Sequence, residues 1–160
     1  MPLLFALGAA VLAYVAVREL RAYSRRRAFA AKSNRRITEA LTDPREAAAI
    51  LLVQQAAYEG HISTDQKALV TGLMQQAFDA SPVEAEELYA FGRAAVGQAG
   101  DAANSLRRLL RPIYDSCTLE EMKELVAMLE EVSSLDGAPT DQQRRLTAAT
   151  ARALSLPVAS

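Results

Sequence analysis

The sequence predicts an all-α fold: a compact helical bundle with an internal duplication, preceded by one N-terminal transmembrane helix. Three observations carry that prediction. A hinge between two helices, Tyr58-Glu59-Gly60-His61-Ile62-Ser63-Thr64-Asp65-Gln66, returns 77 positions later as Leu135-Asp136-Gly137-Ala138-Pro139-Thr140-Asp141-Gln142-Gln143. Such a repeat fixes an architecture. Ala, Leu, Glu, Gln and Arg are abundant and β-branched runs are missing, which favours helix throughout. An uncharged run near the N-terminus is followed at once by a cluster of arginines.

Pro2 to Val17 is sixteen residues without a charge. As a helix it spans roughly 24 Å, somewhat short of a ~30 Å hydrocarbon core. Leu20 extends the apolar surface, and Arg18 and Arg21 can snorkel to the interface. A cleaved signal peptide would carry its positive charge before the apolar run and a small-residue site after it. Here the order is reversed. Residues 18–36 hold eight Lys or Arg against one acid, and residues 37–160 hold ten basic against eighteen acidic. Basic residues on one flank place that flank in the cytoplasm. The expectation is a single-pass protein of the inner (cytoplasmic) membrane with its N-terminus outside. Residues 1–36 form the anchor and basic juxtamembrane segment, with Arg18, Arg21, Arg25, Arg26 and Arg27 at the membrane interface. Tyr23 and Phe29 interleave those arginines as stacking residues might on nucleic acid. Orientation and lipid contact already account for the arginines, and no nucleic-acid partner is expected. Ala6, Ala9, Ala10 and Ala13 give the small-residue spacing that permits a partner helix.

Residues 37–160 form the second unit, with six helices of about 12–16 residues joined by short turns. Asp43-Pro44-Arg45-Glu46 is a helix start, with a cap, proline at the first position and an acid at the third. Ala47, Ile50, Leu51, Val53, Gln54 and Ala57 give that helix one apolar face. At both hinges a glycine, Gly60 or Gly137, suits a left-handed helix end. Ser63 or Thr140 then caps the next helix, and Gln66 or Gln143 returns the bond. Ala68, Leu69, Leu73, Met74 and Ala77 face inward on the second helix. Ser81-Pro82-Val83-Glu84 opens a third, with Ala85, Leu88, Tyr89, Phe91 and Ala95 inside and Gly97 and Gly100 at its end. Asp101 starts a fourth through Leu106, Leu109, Leu110 and Ile113, whose last turn Pro112 disturbs. Thr118-Leu119-Glu120-Glu121 is a further capping box before Met122, Leu125, Val126 and Leu129. The last helix runs from Arg144 to Leu154.

Paired hinges of this form resemble those of the TerB-like domain. Phe78-Asp79-Ala80-Ser81-Pro82-Val83-Glu84-Ala85 and Leu129-Glu130-Glu131-Val132-Ser133-Ser134-Leu135-Asp136-Gly137 add to the likeness, which covers Asp43 to Pro157. The resemblance implies an all-helical, internally duplicated domain of the kind found in tellurite-resistance proteins and in a membrane-anchored co-chaperone. No His-Pro-Asp tripeptide occurs here, so stimulation of an Hsp70 is not implied. In the family the hinge acids form an acidic, metal-associated surface. The first-position acids fall on Glu59 and Asp136, with Asp65 and Asp141 nearby. The later acid of each hinge falls on Gln66 and Gln143. Glutamine still serves the cap but lacks the charge that a hard cation requires.

Nothing in the chain assembles a catalytic group. His61 sits in a turn. Cys117, the single cysteine, precludes an internal disulfide and precedes a helix start, where a thiolate is favoured. Glu86-Glu87, Glu120-Glu121 and Glu130-Glu131 are sequence neighbours, which do not share a helix face. Arg107, Arg108 and Arg111 form the one basic cluster of the second unit. No catalytic residue and no cofactor are expected; calcium or magnesium at Glu59, Asp65, Asp136 and Asp141 is the only metal reading left open. The expected role is a non-enzymatic, membrane-anchored interaction or scaffold protein. Its partners would be the lipid bilayer and membrane or membrane-proximal proteins, the latter meeting Glu59, Asp65, Asp136 and Asp141. An accessory subunit or assembly factor bound through its membrane helix is the first alternative, and a metal- or tellurite-stress-responsive module is the second.

Overall fold

The computed structural model describes residues 41–99 and 102–156. The expected anchor and the arginines that follow it lie outside the described residues. Among those described, no helix is long and apolar enough to cross a membrane. The described residues form seven helical segments and no strand: α1 (Pro44–Ala57), α2 (Thr64–Phe78), α3 (Pro82–Ala99), α4 (Ala102–Leu109), α5 (Arg111–Ser116), α6 (Leu119–Ser134) and α7 (Asp141–Ala153).

Helix α1 is the centre of the bundle. Every residue from Ala47 to Ala56 is buried, whereas the sequence pattern suggests one apolar face. Its stretch AAAILLVQQAA contains no charge, and a helix that is apolar all round is driven inside on every side. Helices α2 to α6 all pack against it, α3 most extensively. Leu51, Leu52 and Val53 are fully buried, each contributing about 1.5–3 kcal/mol. The close α1–α3 approach depends on Gly92. A Cβ there would stand 2.8 Å from the Ala49 carbonyl oxygen and 2.8 Å from Val53 Cγ2.

The helix starts read from the sequence form as expected, apart from the one at Asp101, which lies outside the described residues with Gly100. Ser63 and Gln66, and Thr118 and Glu121, exchange bonds as capping boxes. Thr140 and Gln143 do the same at α7, and Ser81 and Glu84 at α3. Gly60 and Gly137 take φ of 95° and 139°, where a side chain is disfavoured. Three expectations differ. On α2, Ala68 is exposed, and Val70 and Thr71 are buried. Helix α3 continues through Gly97 to Ala99, because an interior glycine weakens a helix by only about 1 kcal/mol. The fourth helix is two segments. Pro112 lacks the N–H that the Arg108 carbonyl would receive, so the ladder breaks at Leu110. The axis nonetheless continues, since Leu110 is itself helical and Tyr114 N–H donates to its carbonyl at 2.9 Å.

Gly92→Ala should lower stability by about 1–2 kcal/mol, because overpacking outweighs the gain in helix propensity. Gly72→Ala, with nothing within 4 Å of the added carbon, should instead raise it by about 0.5–1 kcal/mol. Urea melts of the two variants check the contrast.

Candidate functional site

The two hinges meet. Gln143 and Gln55, on α7 and α1, are both fully buried. Gln143 Nε2 donates to the Gln55 main-chain oxygen at 3.1 Å. In return, Gln55 Nε2 donates to the Gln143 main-chain oxygen at 3.4 Å. Gln55 Nε2 also reaches the Leu129 carbonyl at 3.1 Å and Thr147 Oγ1 at 2.9 Å. Its two hydrogens are thus shared among three acceptors, and one amide ties α1 to α6 and α7. Gln55 Oε1 accepts no hydrogen bond from the described residues.

Glu59 joins this knot from the hinge surface. One carboxylate oxygen accepts from Gln66 Nε2 at 3.0 Å, and the other from Gln143 Nε2 at 3.4 Å. A residue of the first hinge therefore bridges the third helical positions of both α2 and α7. Negative charge beside the first turns of two helices is also favoured by their dipoles. Glu59 is exposed by area, yet neither oxygen lacks a donor.

The orientation of both amides is set by the caps. Gln66 Oε1 accepts the Ser63 N–H at 2.9 Å, and Gln143 Oε1 accepts the Thr140 N–H at 2.8 Å. A backbone N–H only donates, so each Oε1 must face the cap and each Nε2 must face Glu59. Turning either amide would set N–H against N–H. This donor set does not fit a hard cation. Such an ion needs several oxygens, and here nitrogen donors surround the one carboxylate that lies between the hinges. Among the described residues, no three His, Cys, Asp or Glu side chains converge on a metal position.

The other hinge acids stand apart from the knot. Asp141 pairs with Arg144, which also donates to the Pro139 carbonyl. Asp65 and Asp136 are exposed. Asp136 occupies the place in the second hinge that Glu59 holds in the first, but it makes no matching bond to Gln66. The duplication is thus asymmetric in its chemistry. His61 is exposed in the first hinge. Leu135, beside Asp136, is 41% exposed and gives that hinge an apolar edge.

Cys117 departs from the sequence reading. Burial, and then the nearby Glu121 carboxylate, push its thiol above the ordinary range. The α6 N-terminus does not favour a thiolate here, because its donors are taken by Thr118 and Glu121. Their bonds hold Glu121 below the usual carboxylate range.

Gln55, at the heart of the site, carries no signal in local sequence: its partners lie 74 to 92 positions away. The uncharged stretch around it is the one available clue, since a helix buried on all sides must pair its polar groups.

A family model described as "Tellurite resistance protein TerB" matches residues 45–160. No curated protein and no solved structure matches the chain.

Gln143→Ala should destabilise the domain by about 2 kcal/mol, through the lost cap and the lost donor to the Gln55 main-chain oxygen and to Glu59. Gln142→Ala, one residue away and exposed, should stay within about 0.5 kcal/mol of the parent. Thermal melting of both variants against the parent measures the difference.

Proposed function

The chain belongs to the TerB family, and on that premise we propose that it is a membrane-tethered, non-enzymatic interaction protein that presents its hinge end to protein partners. The observation that carries this reading is the joined pair of hinges. Glu59, Gln66 and Gln143 hold the two turns together, so Asp65 and Asp136 project from one rigid end of the bundle. Fixed charges lose little entropy on binding, and complementary charge favours encounter with a basic partner surface. Leu135 supplies an apolar contact within the same end.

Tethering supplies the rest of the mechanism. A bilayer-held N-terminal segment would confine the domain to the membrane surface and raise its effective concentration near membrane-bound partners. Sequence supports this through the uncharged run and the arginines that follow it. The amide donors on both Glu59 oxygens support a hinge contact that needs no cation.

Two experiments test this reading. Full-length protein recovered from detergent extracts should lose its co-purifying partner about tenfold or more when Asp65 and Asp136 are both changed to Lys. Exchanging residues 1–17 for an unrelated membrane helix should leave recovery intact. The opposite pattern would mean that the N-terminal helix itself is the binding surface, as in an accessory subunit. For the hinge chemistry, millimolar calcium or magnesium should leave the parent's melting temperature unchanged. The Gln66→Glu/Gln143→Glu variant brings three carboxylates together and should melt lower in chelator, then recover when calcium is added.

A further inference from the structure

The two ends of helix α1 adjoin different groups. Its C-terminus leads into the first hinge and the carboxylates. Its N-terminus follows Leu41 and Thr42, where the chain enters the domain. The 14 residues of α1 put these ends about 21 Å apart. Leu41 and Thr42 line an open groove of about 580 Å³ together with Arg108, Arg111, Pro112 and Asp115. The basic cluster of the domain thus stands where the chain enters it, and the hinge acids stand away from it.

The cluster has a defined geometry. The axis continues from α4 to α5 through Leu110, so Arg107, Arg111 and Tyr114 recur at helical spacing along one stripe. All three are exposed; the Arg111 side chain is 82% exposed and Tyr114 is 62% exposed. Arg111 has one acidic contact, to Asp115 at 3.6 Å, between two well-exposed side chains. Such a pair contributes little and leaves the guanidinium able to exchange it for a phosphate. An outward tyrosine beside arginines is the composition that suits a membrane–water interface, with an apolar ring and a polar tip. Pro112 contributes by breaking the ladder between Arg108 and Arg111.

Resting on the tethered reading above, we infer that the α4–α5 stripe of Arg107, Arg111 and Tyr114, with Arg108 in the adjoining groove, is a docking face for the anionic phospholipid surface. The occupant follows from the charge and exposure of the stripe: Arg107 and Arg111 are exposed beside an outward tyrosine, and guanidinium groups pair well with phosphate. The neighbouring segment 18–36 carries a positive excess of its own, which favours the same anionic leaflet. Docking in this sense turns Asp65 and Asp136 away from the lipid charge that would repel them. The domain would then be oriented as well as tethered.

Full-length protein in nanodiscs tests this. One set contains phosphatidylcholine alone, and the other includes phosphatidylglycerol. Amide hydrogen exchange is read over 106–116 and over the hinge at 59–66. Exchange across 106–116 should be about fivefold slower in the anionic discs, with the hinge unchanged. Raising the salt concentration should remove the difference. Arg107→Gln/Arg111→Gln should abolish it while leaving the melting temperature near that of the parent. Equal exchange in both discs, with the protein incorporated in both, would overturn the docking face and leave the tether standing. Failure to incorporate in either disc would overturn the tether and the docking face together. Slowing at 106–116 only after a partner protein is added would assign the stripe to that protein and overturn the lipid assignment.

Discussion

A buried amide fixes this domain. Helix α1 is wrapped on all sides, so a polar group on it cannot turn to water, and an unpaired amide in that setting costs several kcal/mol. Gln55 meets the constraint on its donor side, through Nε2, by donating to main-chain oxygens of α6 and α7 and to Thr147. Of these partners Thr147 is specific to one position on α7, so the amide favours one register. Apolar packing alone would tolerate more than one arrangement, because similar side chains fill similar spaces. The reciprocal bonds between Gln55 and Gln143 select one of them and, in doing so, bring the second hinge against the first.

The hinge surface inherits its shape from that interior contact. Gln143 performs three tasks with one side chain: it caps α7, bonds the α1 main chain and donates to Glu59. Gln66 performs two of them at α2. Carboxylates at these two positions would accept at the caps equally well, but would face Glu59 as like charges. Glutamine supplies the missing donor. The amides therefore leave Glu59 as the one carboxylate at the junction, with a donor on each of its oxygens. Of the hinge acids, Asp65 and Asp136 stay exposed and outside this network.

What the sequence reveals follows the range of the interaction. Every capping box is legible because its two halves lie three residues apart, and the physics of the bond is contained in that interval: Ser63 with Gln66, Ser81 with Glu84, Thr118 with Glu121, Thr140 with Gln143. The glycines at positive φ are legible for the same reason. Gly92 is not, because its role is set by Ala49 and Val53 on another helix. The contacts of Gln55, and the bond from Gln143 to Glu59, join residues more than seventy positions apart. No periodicity announces them. The full burial of α1 lies between these cases. Its uncharged stretch marks a helix with no solvated side, yet a search for one apolar face passes over that sign. The hinges themselves were visible as a pair; that they touch, and that only Glu59 of the two first-position acids bridges them, belongs to tertiary structure.

The same helix that enforces the register also separates two chemistries. With one end of α1 at the chain's entry and the other at the hinge, any group placed near Leu41 is held about 21 Å from any group at Gly60, a separation beyond the ~8 Å Debye length at physiological salt. Arginines at the first end and aspartates at the second therefore act as independent surfaces. Neither screens the other, and a ligand at one need not disturb the charge at the other. A rigid core is what makes this division useful: if the hinges could part, the aspartates would shift relative to α1 and the orientation gained at the entry end would be lost before it reached them. The buried glutamines thus link the two surfaces mechanically while distance keeps them electrostatically apart.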